Sequence, residues 1–170
     1  MNDKRSSHGD NVASADDSAT RANLRIAAMN LLARREHSRA ELADKLSRRL
    51  PVPGADSRLL NEVLNRLGED GLQCDHRFAE AFLRARYNKG QGPRRIKQEL
   101  IHCGVASALV SEIFAASGVD WYAHARFVAE KKYGEGPPKD MRDRARRMRF
   151  LQYRGFEADQ ISLALGGEAP

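Results

Sequence analysis

Only two cysteines, Cys74 and Cys103, occur in 170 residues. That is too few for a disulfide framework, so the chain reads as a protein of a reducing cytoplasm. No apolar run approaches the ~20 residues that a membrane helix needs, and no signal-peptide core is visible, so neither membrane insertion nor export is expected. Aromatic residues make up 6% of the chain and mean hydropathy is −0.62. Both favour a core of small aliphatic side chains under a large charged surface. No segment alternates apolar and polar residues between hairpin turns, which leaves a sheet without support. Acid is outweighed by base: 29 Lys+Arg stand against 23 Asp+Glu, a net charge of +6, and the pI is about 9.6. Such a balance favours an anionic partner.

What the chain does have is helical periodicity, arriving in threes. Residues 1–20, with Val12 the only large aliphatic after Met1, are too polar to offset their ordering entropy and read as a disordered tail. A first helix then carries Leu24, Ala28, Leu31 and Leu32. Ser38-Arg39-Ala40-Glu41 is a capping box that opens a second helix with Leu42 and Leu46 inward. Asp56 or Ser57 caps a third, with Leu59, Leu60, Val63, Leu64 and Leu67. The pattern restarts with Asp75 as a cap and Phe78, Phe82 and Ala85 on one face. Pro93 stands at a helix start, where its missing N–H costs nothing. Ile96, Leu100 and Cys103 follow as a stripe, Gly104 stops it, and Leu109, Val110, Ile113 and Phe114 make the next helix. A last round places Trp121, Ala125 and Val128, then Met141, Ala145, Met148 and Leu151, inward. Gly155 is the stop, and Ala158, Ile161 and Leu165 follow.

The rounds are in register. Leu42 and Leu46 fall on Ile96 and Leu100 at one constant offset, and Leu59, Leu60, Val63 and Leu64 fall on Leu109, Val110, Ile113 and Phe114 at a slightly smaller one. The difference matches an insertion around Pro51-Val52-Pro53-Gly54. Gly104-Val105 falls on Gly155-Phe156 and Tyr87 on Tyr133, with extra residues near Gly134-Glu135-Gly136-Pro137-Pro138. The expected fold is therefore all-α, three tandem three-helix units over 21–71, 72–118 and 119–166. Units this short lean on one another, which predicts an elongated, curved helical body.

Charge is unevenly spread along these units. Arg84, Arg86, Lys89, Arg94, Arg95 and Lys97 stand in a stretch without a single acid, and Arg77 is counted with them. Arg142, Arg144, Arg146, Arg147, Arg149 and Arg154 form a second cluster with Asp143 as its only acid. Surface helices ordinarily mix signs to gain i,i+4 pairs, and Arg95–Glu99 is the one such pair that the first cluster makes. A plain solvated face is the bland account of any one arginine. Two acid-poor clusters at related places point instead to contact with phosphates or carboxylates, which guanidinium forks fit.

No catalytic constellation emerges. There is no Gly-x-x-x-x-Gly-Lys-Ser/Thr loop, and Gly90-Gln91-Gly92 before Pro93 is a helix break rather than a phosphate cradle. Cys74, His76, His102 and Cys103 do not have zinc spacing, since neighbours on a helix point about 100° apart. His37 and His124 stand alone as satisfied or solvated histidines, and Trp121 and Met148 read as core. Neither a metal nor a cofactor nor an enzymatic activity is expected. Stacking platforms for bare nucleic acid need exposed aromatics. Phe78, Phe82, Phe114 and Trp121 fall on core stripes, leaving Tyr87, Tyr133 and Tyr153 as the better exposed rings.

Three motifs in order carry a family likeness. Phe78-Ala79-x-x-Phe82-x-x-x-Arg86, then Gly92-x-x-x-Ile96-x-x-Glu99-Leu100-x-x-x-Gly104-Val105, closely resembles the central motif of the RecX family. Arg146-x-x-x-Phe150-Leu151-x-x-Arg154-Gly155-Phe156 with Ile161 is similar to its closing motif, and Leu31 through Leu46 to its opening one. The likeness covers roughly residues 21–165. Cys74-Asp75 and His102-Cys103 depart from the family's commoner residues, without touching the fold. The resemblance implies a cytoplasmic, monomeric regulator of the RecA recombinase. Such proteins bind the RecA–single-stranded-DNA filament, lying in its groove or blocking its extension, and inhibit ATPase, strand exchange and coprotease activity. Several also bind single- or double-stranded DNA weakly. The rival class is a sequence-specific helix-turn-helix DNA-binding regulator, typically a dimer that reads base edges with one helix. An unrecognised enzyme would show itself by turnover of a nucleotide or nucleic acid.

Overall fold

The computed structural model describes residues 9–49 and 57–167, with side chains from residue 16 onward. Among them are nine helices and no strand: α1 Gly9–Leu32, α2 Arg39–Ser47, α3 Ser57–Glu69, α4 Asp75–Asn88, α5 Pro93–His102, α6 Ser107–Ala116, α7 Trp121–Tyr133, α8 Met141–Arg154 and α9 Ala158–Ala164. No helix of the described residues is long and apolar enough to cross a membrane. The chain divides into two compact units, Met1–Phe78 and Ala79–Pro170, the division falling inside α4.

In the first unit α1, α2 and α3 close around Leu24, Ala28, Leu42, Leu46, Leu60, Val63, Leu64 and Leu67. These are the stripe positions of the first round, and each fully buried leucine contributes about 1.5–3 kcal/mol over leaving it in water. Ser38 begins α2 as expected, its hydroxyl accepting from the Glu41 amide at 3.0 Å. The proposed cap Asp56 lies outside the described residues. Asp75 is not a cap: it stands in the first turn of α4, where its Oδ1 accepts from the Arg39 amide and from Gln73 Nε2, both at 2.8 Å. The carboxylate thus ties the start of α4 to the start of α2 within the same unit.

α1 also reaches back to Gly9, into the segment expected to be a disordered tail. Low hydrophobicity argues against burial but not against helix. Ala13, Ala15 and Ala19 favour helix, and Asp17 and Arg21 meet Arg58 and Glu62 of α3 at 3.6 and 3.0 Å.

In the second unit the last three helices pack around Ala125, Val128, Ala129, Leu151, Phe156, Ile161 and Leu165. A run of rings joins the rest to them: Phe114 stacks on Trp121 at 5.7 Å, Trp121 meets Tyr87 edge-on at 6.0 Å, and Tyr87 stacks on His124 at 3.8 Å. Met141 departs from its expected stripe. It is the first residue of α8 and 79% exposed. Leu100, Gly104 and Val105 end α5 as Leu151, Gly155 and Phe156 end α8: the apolar residue's amide donates back to the leucine carbonyl, at 3.1 Å in both. That reciprocal stop satisfies carbonyls the helix cannot satisfy itself.

Candidate functional site: an arginine groove in the second compact unit

The start of α5 is held by the end of α8. The Gly92 amide donates to the Arg154 carbonyl at 2.8 Å and the Arg94 amide to the Gly155 carbonyl at 3.1 Å. One helix lacks partners for its first N–H groups and the other for its last C=O groups, so each end completes the other. The approach requires two glycines. A Cβ on Gly92 would strike the Phe156 amide and the Gly155 carbonyl, and one on Gly155, at φ +89°, would strike Arg95. The central and closing motifs of the sequence are thus the two halves of one joint.

Beside this joint lies a groove of about 650 Å³, lined by α4, α5 and the end of α8. Glu99 stands in it between two guanidinium groups. Arg95 Nε donates to Glu99 Oε1 at 2.8 Å, and Arg86 Nε pairs with Oε2 at 2.9 Å without hydrogen-bond alignment. Arg86 also lies over the Phe82 ring at 4.6 Å and Arg95 over Tyr153 at 5.6 Å. The hydrogen bond to Glu99 raises the Arg95 pKa above its ordinary value, so that its charge is permanent. Arg94 lines the same groove with its side chain exposed and no side-chain partner among the described residues. One carboxylate against three guanidinium groups leaves the groove positive. Arg84 and Lys89, also exposed and without side-chain partners among the described residues, extend the positive charge along α4 and its exit. Lys97 on α5 lies over Phe114 at 5.0 Å. Such a groove can take phosphate or carboxylate oxygens by charge-assisted hydrogen bonds.

The second cluster is different. Arg147 was expected on a binding face but is 5% exposed, its Nε on Asp143 Oδ2 and its Nη1 on the Gly136 carbonyl, both at 3.0 Å. Arg146 pairs with Asp143 at 2.6 Å, and Arg146 and Arg147 both lie over the Tyr133 ring. Burial pushes the Asp143 carboxyl up, but the Lys139 amide and these two guanidinium groups outweigh it and hold it below the usual carboxylate range. Arg144 donates to the Leu165 carbonyl at 3.1 Å and Arg154 to the Lys89 carbonyl at 2.7 Å, each a cation at a helix end where the dipole favours it. Only Arg142 and Arg149 of this cluster are exposed without a side-chain partner among the described residues. Arg77 belongs to the first unit, on Glu36 at 3.1 Å.

Other expectations changed in detail. Tyr87 is not a free ring, since it stacks on His124. Tyr133 is half-buried under two arginines, and Tyr153 is 76% exposed at the groove. His124 and His37 are both buried. Burial lowers the His124 pKa, against the opposing effect of a backbone hydrogen bond with Gln91. His37 Nδ1 meets the Arg35 carbonyl and Nε2 meets Lys45 Nζ, each at 3.0 Å. A carbonyl only accepts and an ammonium only donates, so this ring is neutral; burial lowers its pKa too. Among the described residues no group of His, Cys, Asp and Glu could hold a metal, and neither cysteine forms a disulfide. Sequence reasoning missed the Arg86–Glu99 pair, which joins two helices and leaves no spacing signal.

Family models described as the first, second and third three-helix domains of RecX match residues 25–51, 75–112 and 119–165. The regulatory protein RecX of Halorhodospira halophila is 50% identical over 141 residues, 83% of this chain and 85% of that protein. The chain belongs to the RecX family. The regulatory protein RecX of Ectopseudomonas mendocina is 42% identical over 144 residues, 85% of this chain and 93% of that protein. The fold agrees with this RecX assignment. The crystal structure of RecX from Lactobacillus salivarius matches with a TM-score of 0.70 at 26% identity, over 88% of this chain and 95% of that one. The three three-helix units expected from the sequence correspond in number and order to the three RecX domain models.

Proposed function

We propose that this chain is a cytoplasmic, monomeric regulator that binds the RecA–single-stranded-DNA filament, by occupying its groove or blocking its extension. In doing so it inhibits RecA ATPase, strand exchange and coprotease activity. Membership of a family whose relatives are named regulatory proteins supports the class. The observation that carries the contact is the groove at the α5–α8 joint. There Arg86 and Arg95 are held by Glu99 while Arg94 keeps its guanidinium free for a phosphate or carboxylate.

The test is RecA ATPase on single-stranded DNA with this protein at substoichiometric ratio, comparing wild type with the double variant Arg84→Glu, Arg94→Glu. Arg86 and Arg95 are left alone, because reversing them would set acid against Glu99. The expected result is inhibition by wild type, weakened by salt, and at least tenfold weaker inhibition by the variant at unchanged thermal stability. No inhibition by wild type, or sequence-specific duplex binding in its place, would overturn the reading in favour of a helix-turn-helix regulator. Equal inhibition by the variant would show these arginines to be a solvated face.

A further inference from the structure

α1 has two sides. Leu24, Ala27 and Ala28 are buried in the core that α2 and α3 complete. The opposite side carries Ala19, Ala22, Ile26, Met29 and Ala33, spaced alternately by three and four residues, and all of them are exposed. Ile26 is 58% exposed and Met29 45%, two large aliphatic side chains one turn apart in water. The Ala33 amide donates to the Met29 carbonyl at 2.9 Å, which keeps Ala33 on the helical path. Upstream, the sequence continues the same spacing with Ala15 and Val12. Apolar residues that alternate by three and four stay on one seam, the pattern of a helix that pairs with another helix.

The order of large and small residues along the seam says which helix fits it. Let a second α1 lie antiparallel, with the two-fold axis level with Leu24. Ile26 then faces the copy's Ala22, Met29 its Ala19, and Ala33 its Ala15. Each large side chain meets an alanine, so every knob has a hole and the two backbones approach closely. A parallel copy would set Ile26 on Ile26 and Met29 on Met29, with alanine facing alanine and a void between them. The same register matches charge. Asp16 and Arg34 flank one edge of the seam, both exposed and without a side-chain partner among the described residues. Antiparallel pairing brings each Asp16 beside the copy's Arg34, twice by symmetry. On the other edge Arg25 approaches its own copy, and Asp70 holds it at 2.9 Å. We infer that this face of α1 is a self-docking surface, on which two copies of the chain pair as an antiparallel, two-fold symmetric seam anchored by Ile26 and Met29. The seam is short and mostly alanine, so the pair forms at high protein concentration and the monomer proposed above is its dilute form. It belongs to the first unit and uses none of the arginines of the groove.

The experiment is sedimentation equilibrium of the full-length protein from ~2 to ~200 µM, no RecA present. The wild-type mass is expected to climb from one chain towards two. Ile26→Asp, at an exposed position, should leave the melting temperature unchanged and raise the dimer Kd roughly tenfold or more. Asp16→Arg should weaken pairing several-fold, and Arg34→Asp added to the same chain should restore it, because the antiparallel register alone sets these two positions against each other. If Ile26→Asp lowers the melting temperature, the two charge reversals decide the matter. A wild type that stays monomeric at ~200 µM overturns the proposal, as does a dimer that survives Ile26→Asp in a folded chain. Failure of the second reversal to rescue the first overturns the antiparallel register. A monomeric wild type whose inhibition of RecA is lost in Ile26→Asp also overturns it, and assigns the seam to RecA. The sedimentation contains no RecA, so its failure leaves the filament reading standing, and failure of that reading leaves this one.

Discussion

Arg147 in α8 and Arg94 in α5 carry the same charge, sit in clusters of the same density, and have opposite situations. Arg147 is enclosed, with a carboxylate, a carbonyl and an aromatic face as its partners. Arg94 lies exposed at a groove with its backbone engaged and its guanidinium unspent. The acids explain the difference. Asp143, at the first turn of α8, gathers two arginines onto itself, and the ends of α4 and α9 recruit two more. The cluster over α4 and α5 has Glu99 for Arg86 and Arg95, and none of the described acids pairs with Arg84 or Arg94. A basic stretch is therefore structural or available according to what acceptors its helix ends and first turns bring within reach, not according to how many arginines it contains.

The largest test of this comparison is at the joint that both clusters share. Gly155→Ala puts a Cβ against the Arg95 backbone at a φ that side chains rarely adopt. It should lower the melting temperature by roughly 10 °C or more, read by circular dichroism. Next comes the direct contrast. Arg147→Met should cost on the order of 5–10 °C, since it removes the buried partner of Asp143 and strands the Gly136 carbonyl. Arg94→Met should move stability by no more than about 2 °C. Equal losses would erase the distinction between the two clusters.

The smallest effect separates the charges by pH. His37 and His124 have folded pKa values below the unfolded 6.5, so the unfolded chain binds more protons in mild acid. Their contribution is whole above about pH 6.5 and declines as pH falls towards the lowered folded values. Asp143 is depressed as well, so its contribution persists to lower pH, falling only below the ordinary carboxylate pKa of 3.8. Melting curves from pH 7.5 to 3 should show two steps, and His124→Phe should shrink the upper one alone. A single step near pH 4 in wild type would remove the histidines from the account.

The helices were legible because Leu42, Leu46, Ile96, Leu100, Leu151 and Ile161 recur at helical spacing and because Ser38, Pro93, Gly104 and Gly155 are stops and starts with a physical cause. What the sequence hid were matters of which polar group finds which. Asp143 and Arg147 are i and i+4, so their pair was open to inference. The Gly136 carbonyl that completes Arg147's burial was not, because it arrives from a loop. Tyr87 looked free since nothing in its own helix covers it, and His124 of α7 does so across space. Phe127, beside the Ala125/Val128 stripe and named among neither the core nor the exposed rings, is 58% exposed.

The joint between α5 and α8 has a consequence for how the protein is made. α5 is translated first, and its first-turn amides can meet only water until the ribosome has delivered Arg154 and Gly155. The middle of the chain thus waits on its far end, and a nascent chain arrested before α8 would expose both the Gly92 turn and the His124 ring that Phe156 later meets. Folding here is closed from the last helices backward, like a strap threaded through a buckle that was laid down first.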